Sequence, residues 1–83
     1  MRVLFSERFT RSFAEAPERV RRDFGKQLGY LLKNFRHPSL HIKKYDEERS
    51  IWQARVNGGW RFYFRIEGDV YHLIDIIPHP KEA

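Results

Sequence analysis

Four β-prone runs separated by three short turn signals occupy the second half of the chain. "LHIKKYD" (40–46) is followed by "EER", "SIWQARV" (50–56) by "NGG", and "WRFYFRIE" (60–67) by "GD", after which comes "VYHLIDII" (70–77). Connections this short permit only antiparallel neighbours, because a parallel return needs a crossover of a dozen or more residues. The second half therefore predicts an antiparallel meander.

The first half has a different period. "RVLF" (2–5) reads as a short opening strand, and Ser6 then precedes "ERFTRSFAEA" as an N-cap. Phe5, Phe9 and Phe13 recur every four residues, on one helix face. Pro17 ends that helix and starts the next, where its missing N–H is no loss. Val20, Phe24, Leu28, Leu31 and Phe35 mark one apolar stripe, while Arg19, Arg22, Lys26 and Lys33 lie mainly elsewhere. "NFRHPS" breaks the second helix. Gly25 and Gly29, four apart inside it, imply close approach of a neighbouring element, since each is worth up to ~1 kcal/mol less than Ala in a helix. The expected fold is α+β over residues 1–83 as one domain. A short N-terminal strand leads into a two-helix antiparallel hairpin, packed on one face of a mostly antiparallel four- to five-stranded sheet.

The "NGG" turn fixes which side chains share a face. Val56 should pair near Trp60, which sets Arg55 opposite Arg61, Gln53 opposite Tyr63 and Ile51 opposite Arg65. Trp52, Ala54, Val56, Trp60, Phe62, Phe64 and Ile66 then form the core face. Gln53, Arg55, Arg61, Tyr63 and Arg65 form the other. Two arginines directly opposed destabilise a sheet by an amount comparable to the roughly 0.2–1 kcal/mol that favourable pairs contribute. Their presence points to an anion on that face, against the alternative of stems splayed over apolar surface. In the last hairpin a two-residue loop pairs Arg65 with His72 but puts Asp75 on the core face. A bulge or a longer loop would reverse that.

Charge supports a polyanion partner. The net is +5, and residues 1–44 carry eleven Lys/Arg against four Asp/Glu, whereas residues 45–83 carry five against seven. There is no cysteine, so disulfides and thiolate metal sites are excluded, and the four histidines show no metal-ligand spacing. No apolar run is long enough to cross a bilayer, and "MRVLFSERF" lacks the pattern of a signal peptide. A cytoplasmic chain with no cofactor, no metal and no membrane partner is expected. His37 and His41 read as surface residues.

Three segments, "NFRHPSLHIKKY", "SIWQARVNGGWRFYFRIEGDVYHL" and "IIPHPK", in this order behind a helical hairpin, resemble the RelE/ParE superfamily of toxins. The closer likeness is to its RelE-like mRNA interferase branch. The resemblance covers nearly the whole chain. It implies the toxin of a type II toxin–antitoxin system that cleaves mRNA at the ribosome by attack of the 2′-OH on the adjacent phosphate. It implies a cognate acidic antitoxin as partner. Carried over by position, Arg55, Arg61 and His79 are the catalytic candidates. Lys43, Lys44, Gln53, Tyr63, Arg65 and Lys81 are RNA-binding candidates, with Tyr63 able to stack a base. Gln53 departs from the branch, whose nuclease members are often basic there. That departure keeps open a ParE-like gyrase inhibitor or a non-catalytic RNA- or ribosome-binding relative.

Overall fold

A computed structural model describes residues 1–79. Strand β1 (Arg2–Phe5) leads into helices α1 (Glu7–Glu15) and α2 (Glu18–Lys33). A single 3-10 turn (Pro38–Leu40) follows, and then β2 (Lys43–Asp46), β3 (Ile51–Asn57), β4 (Trp60–Glu67) and β5 (Val70–Pro78). The sheet order is β1-β5-β4-β3-β2, with β1 parallel to β5 and every other pair antiparallel. The α+β architecture read from the sequence is the one observed.

The local signals act as chemistry requires. The Ser6 hydroxyl accepts from the Phe9 N–H at 2.9 Å and caps α1. Pro17 takes the N-cap position of α2, and the break is tied by Arg21, whose Nη1 donates to the Ala16 carbonyl. Helix α1 packs on β5 and α2 on β3, so each covers one half of the same sheet face. Between them lies a chain of rings, Phe9 against Phe24 at 5.2 Å and Phe24 edge-on to Phe62 at 5.1 Å. Phe62, Phe64, Leu73 and Ile76 are fully buried beneath.

Three expectations are corrected. A Cβ placed on Gly25 or Gly29 meets nothing within 4 Å, and both glycines are exposed, so no element approaches them. Ile66 is 38% exposed, because it lies beyond the cover of the helices. Trp60 pairs with Asn57 rather than with Val56, which bulges inward and is buried. The ambiguity of the last hairpin resolves into both of its alternatives at once. The loop is the tight one, with Gly68 at φ +59° and Arg65 opposite His72. A bulge then leaves Ile74 unpaired, so Phe64 faces Leu73 while Tyr63 faces Asp75. The extra residue sends Ile76 into the core and Asp75 to the uncovered face.

Candidate functional site

The uncovered face is organised around the turn that joins β3 to β4. Asn57 folds it, its Oδ1 accepting from the Gly59 N–H at 2.9 Å and its Nδ2 donating to Asp23 of α2 at 2.9 Å. Arg55 and Arg61 face each other across the strands, in the register the sequence implied. Both guanidinium groups end at this turn. Arg61 Nη1 donates to the Asn57 carbonyl at 2.6 Å and the Trp60 carbonyl at 2.9 Å. Arg55 Nη2 lies 3.7 Å from where a Cβ on Gly58 would stand. Neither arginine has an acidic partner among the described residues. The third candidate arrives from β5, where the His79 N–H donates to the Gly59 carbonyl at 2.8 Å. Ile77 pairs with Arg61, and alternation from Ile77 brings His79 to the same face. His79 is thus brought to the turn that Arg55 and Arg61 flank, and all three are half-buried.

The remaining candidates divide. Lys43 pairs with Gln53 and is exposed on the uncovered face. Lys44 pairs with Trp52, and its Nζ sits 4.2 Å from the centre of that ring, on the helix side of the sheet. Arg65 is exposed and on the right face, but four residues along β4 from Arg61, about 13 Å at strand rise. It neighbours Leu4, Phe5 and His72 instead of the turn. Lys81 lies outside the described residues.

Gln53 and Tyr63 form the largest departure from expectation. They are only 6% and 8% exposed, and the Tyr63 hydroxyl donates to Gln53 Oε1 at 3.2 Å. Tyr45 lies edge-on over Tyr63 at 4.8 Å, so the Tyr63 ring is not presented for stacking. Burial raises the Tyr63 phenol above its ordinary value. Tyr45 and Asp75 add to the effect and Arg61 opposes it. Tyr45, 60% exposed, is the ring that solvent reaches, and sequence reasoning passed over it. Its signal was present, because alternation from Lys43 carries Tyr45 to the same face.

Gln27 was also missed. It is a buried polar residue in the apolar stripe of α2, and its Nε2 donates to the Arg55 carbonyl at 2.8 Å and the Ser39 carbonyl at 3.0 Å. Strand β2 is too short to pair this end of β3, so Gln27 satisfies an edge carbonyl that would otherwise be orphaned. It thereby fixes the backbone under Arg55. His37, expected as a bare surface residue, stacks on Tyr30 at 3.9 Å and accepts from the Ser39 N–H at 3.2 Å.

The site is therefore that of a small α+β unit that hides one sheet face under two helices and gathers on the other a histidine and two arginines that have no acidic partner among the described residues. Solved structures with this fold include toxins, some of them in complex with an antitoxin. The YoeB/ParE toxin from Agrobacterium tumefaciens superposes with a TM-score of 0.80 over 96% of this chain and 100% of that one, at 12% identity. The archaeal RelE–RelB complex from Pyrococcus horikoshii gives 0.78 over 98% and 97%, at 14% identity. The E. coli DinJ–YafQ complex gives 0.78 over 95% and 94%, also at 14% identity. No protein-family model matches the sequence, and no curated protein does. The chain has the RelE/ParE-type toxin fold.

Proposed function

We propose that this chain is the toxin of a toxin–antitoxin pair and an endoribonuclease that cleaves messenger RNA, at the ribosome, without a metal. The observation that carries the reading is the convergence of Arg55, Arg61 and His79 on the turn at residues 57–59. Arginine stays protonated and presents a planar fork, so Arg55 and Arg61 would hold the scissile phosphate and offset its growing charge. Nη1 of Arg61 is committed to the turn, which pre-orients the rest of the guanidinium. An imidazole can accept a proton where a guanidinium cannot, so proton transfer falls to His79. The RNA 2′-oxygen attacks the adjacent phosphorus as its proton passes to the imidazole. The P–O5′ bond breaks, the 5′-oxygen is protonated from solvent, and a 2′,3′-cyclic phosphate remains on the upstream fragment. Exposed Lys43 supplies further charge for the strand.

The surplus of arginine on this face also suits an acidic antitoxin segment that folds as it binds, and two of the solved neighbours are complexes with antitoxins. A complex in which only the helices are contacted would sink that expectation.

A second reading, a toxin-fold protein that binds without cutting or acts on DNA gyrase, is favoured by one observation. Gln53 and Tyr63 satisfy each other, so this pair offers a phosphate neither positive charge nor a free proton carrier. Mapping message ends by primer extension after induction, with a gyrase assay in parallel, separates the two. The nuclease reading expects new 5′ ends that disappear in an Arg61→Ala/His79→Gln double variant. Growth arrest with intact messages rejects it.

A further inference from the structure

Beside the arginines, the uncovered face holds a hollow of opposite chemistry. It measures about 150 Å³ and is lined by Tyr45, Ile51, Tyr63, Ile74, Asp75 and Ile77. Two of these side chains, Tyr45 and Ile77, stand 60% and 38% exposed, so the hollow is open to solvent. Asp75 is set into this apolar lining. Its Oδ1 is held from two sides, by the Ser12 hydroxyl at 2.6 Å and its neighbour's N–H at 2.8 Å. Its Oδ2 has no hydrogen-bond partner among the described residues. The two bonds hold the carboxylate in place and leave Oδ2 able to accept a further hydrogen bond. On a face loaded with arginine, it cannot be there to attract phosphate.

The geometry points to a base-binding subsite: the hollow takes one unstacked RNA base that carries an exocyclic amino group, with Tyr45 against the base and Asp75 Oδ2 accepting from the amino group. The inference rests on the RNA-cleaving reading of the same face and deepens it by naming what selects the sequence. The placement fits, since Ile77 pairs with Arg61 and Asp75 with Tyr63, so the hollow adjoins the arginines by one step along β4 and β5. A base beside a scissile phosphate held at Arg61 would fall there. Single-stranded RNA is read in this manner, by aromatic stacking and by hydrogen bonds to base edges. A carboxylate accepts from the cytosine amino group and finds no donor at the corresponding uracil carbonyl.

The test is binding of 2′-O-methyl hexanucleotides, which lack the nucleophile and so report affinity alone. Wild type should bind oligo-cytidine about tenfold more tightly than oligo-uridine, since one good edge contact is worth ~1–3 kcal/mol. Asp75→Asn should bring the two affinities together. Ser12→Ala removes the tether to α1 but keeps the carboxylate, and should retain the preference. That variant separates base reading from a merely structural role for Asp75. Tyr45→Ala should weaken both oligonucleotides. Equal affinities in wild type, or a preference unchanged in Asp75→Asn, overturns the subsite while binding that still depends on Arg55 leaves the RNA reading standing. Failure of wild type to bind either oligonucleotide overturns both.

Discussion

Gln53 with Tyr63, and Arg55 with Arg61, are neighbouring cross-strand pairs on one face of the same two strands. The first pair is buried and satisfies its own hydrogen-bonding needs. The second is half-buried, opposes like charges and has no acidic partner among the described residues. Two steps along a strand separate a self-satisfied pair from a pair that opposes like charges, even though Arg61 also ties the turn. A buried amide–phenol contact is a stabilising arrangement whatever the protein does. In the proposed nuclease the two opposed guanidinium groups serve an anion, the partner that their planar forks fit.

The sharpest way to break this contrast is to remove the proposed proton carrier. His79→Gln should lower RNA cleavage about 10²–10⁴-fold, as for loss of a general base, with little change in urea unfolding. Cleavage at the wild-type rate would dismiss His79 from the chemistry. Next in size, Tyr63→Ala should destabilise the fold by about 3–5 kcal/mol, as for other buried aromatics. Arg65→Ala, at an exposed position, should stay within about 0.5 kcal/mol. Comparable losses from the two would mean that the middle of the face is not the structural part.

Alkaline titration probes the same division. Burial keeps the Tyr63 and Tyr71 phenols protonated in the folded chain at pH values where the unfolded chain has already ionised them. The unfolded state then holds fewer protons, so stability should be intact below pH ~10 and fall as pH rises above it. Tyr63→Phe and Tyr71→Phe should each flatten that fall, read by denaturant unfolding at successive pH values. The smallest effect concerns α2. Gly25→Ala and Gly29→Ala should each stabilise by up to ~1 kcal/mol, because nothing stands where the methyl group would go. A loss of stability would restore the close approach that the sequence suggested.

Much of this contrast was legible in the sequence, and the rest was hidden for identifiable reasons. The "NGG" turn and period-two alternation are local, and together with the bulge at Val56 they set Arg55 against Arg61. The burial of Tyr63 is not local. It depends on Tyr45, which arrives from β2 across a bulge. Gln27 looked like a polar interruption of an apolar stripe. Its partner, the Arg55 carbonyl, is an edge group left open only because β2 is short. Asp75 turned on a single inserted residue at Ile74, where a shift of one reverses the face and no propensity distinguishes the outcomes. Gly25 and Gly29 misled in the other direction, since a helical glycine is permitted wherever packing elsewhere absorbs its cost.

The central claim is that the arginine pair serves an anion at the expense of the fold, and Arg55→Thr tests it with two readings on one protein. Thr suits a strand and removes the like-charge opposition, while the backbone bond from Gln27 is untouched. The account predicts unfolding free energy unchanged or raised by up to about 1 kcal/mol, together with RNA cleavage reduced about 10²–10³-fold. A destabilised variant that cleaves RNA as well as wild type would contradict it.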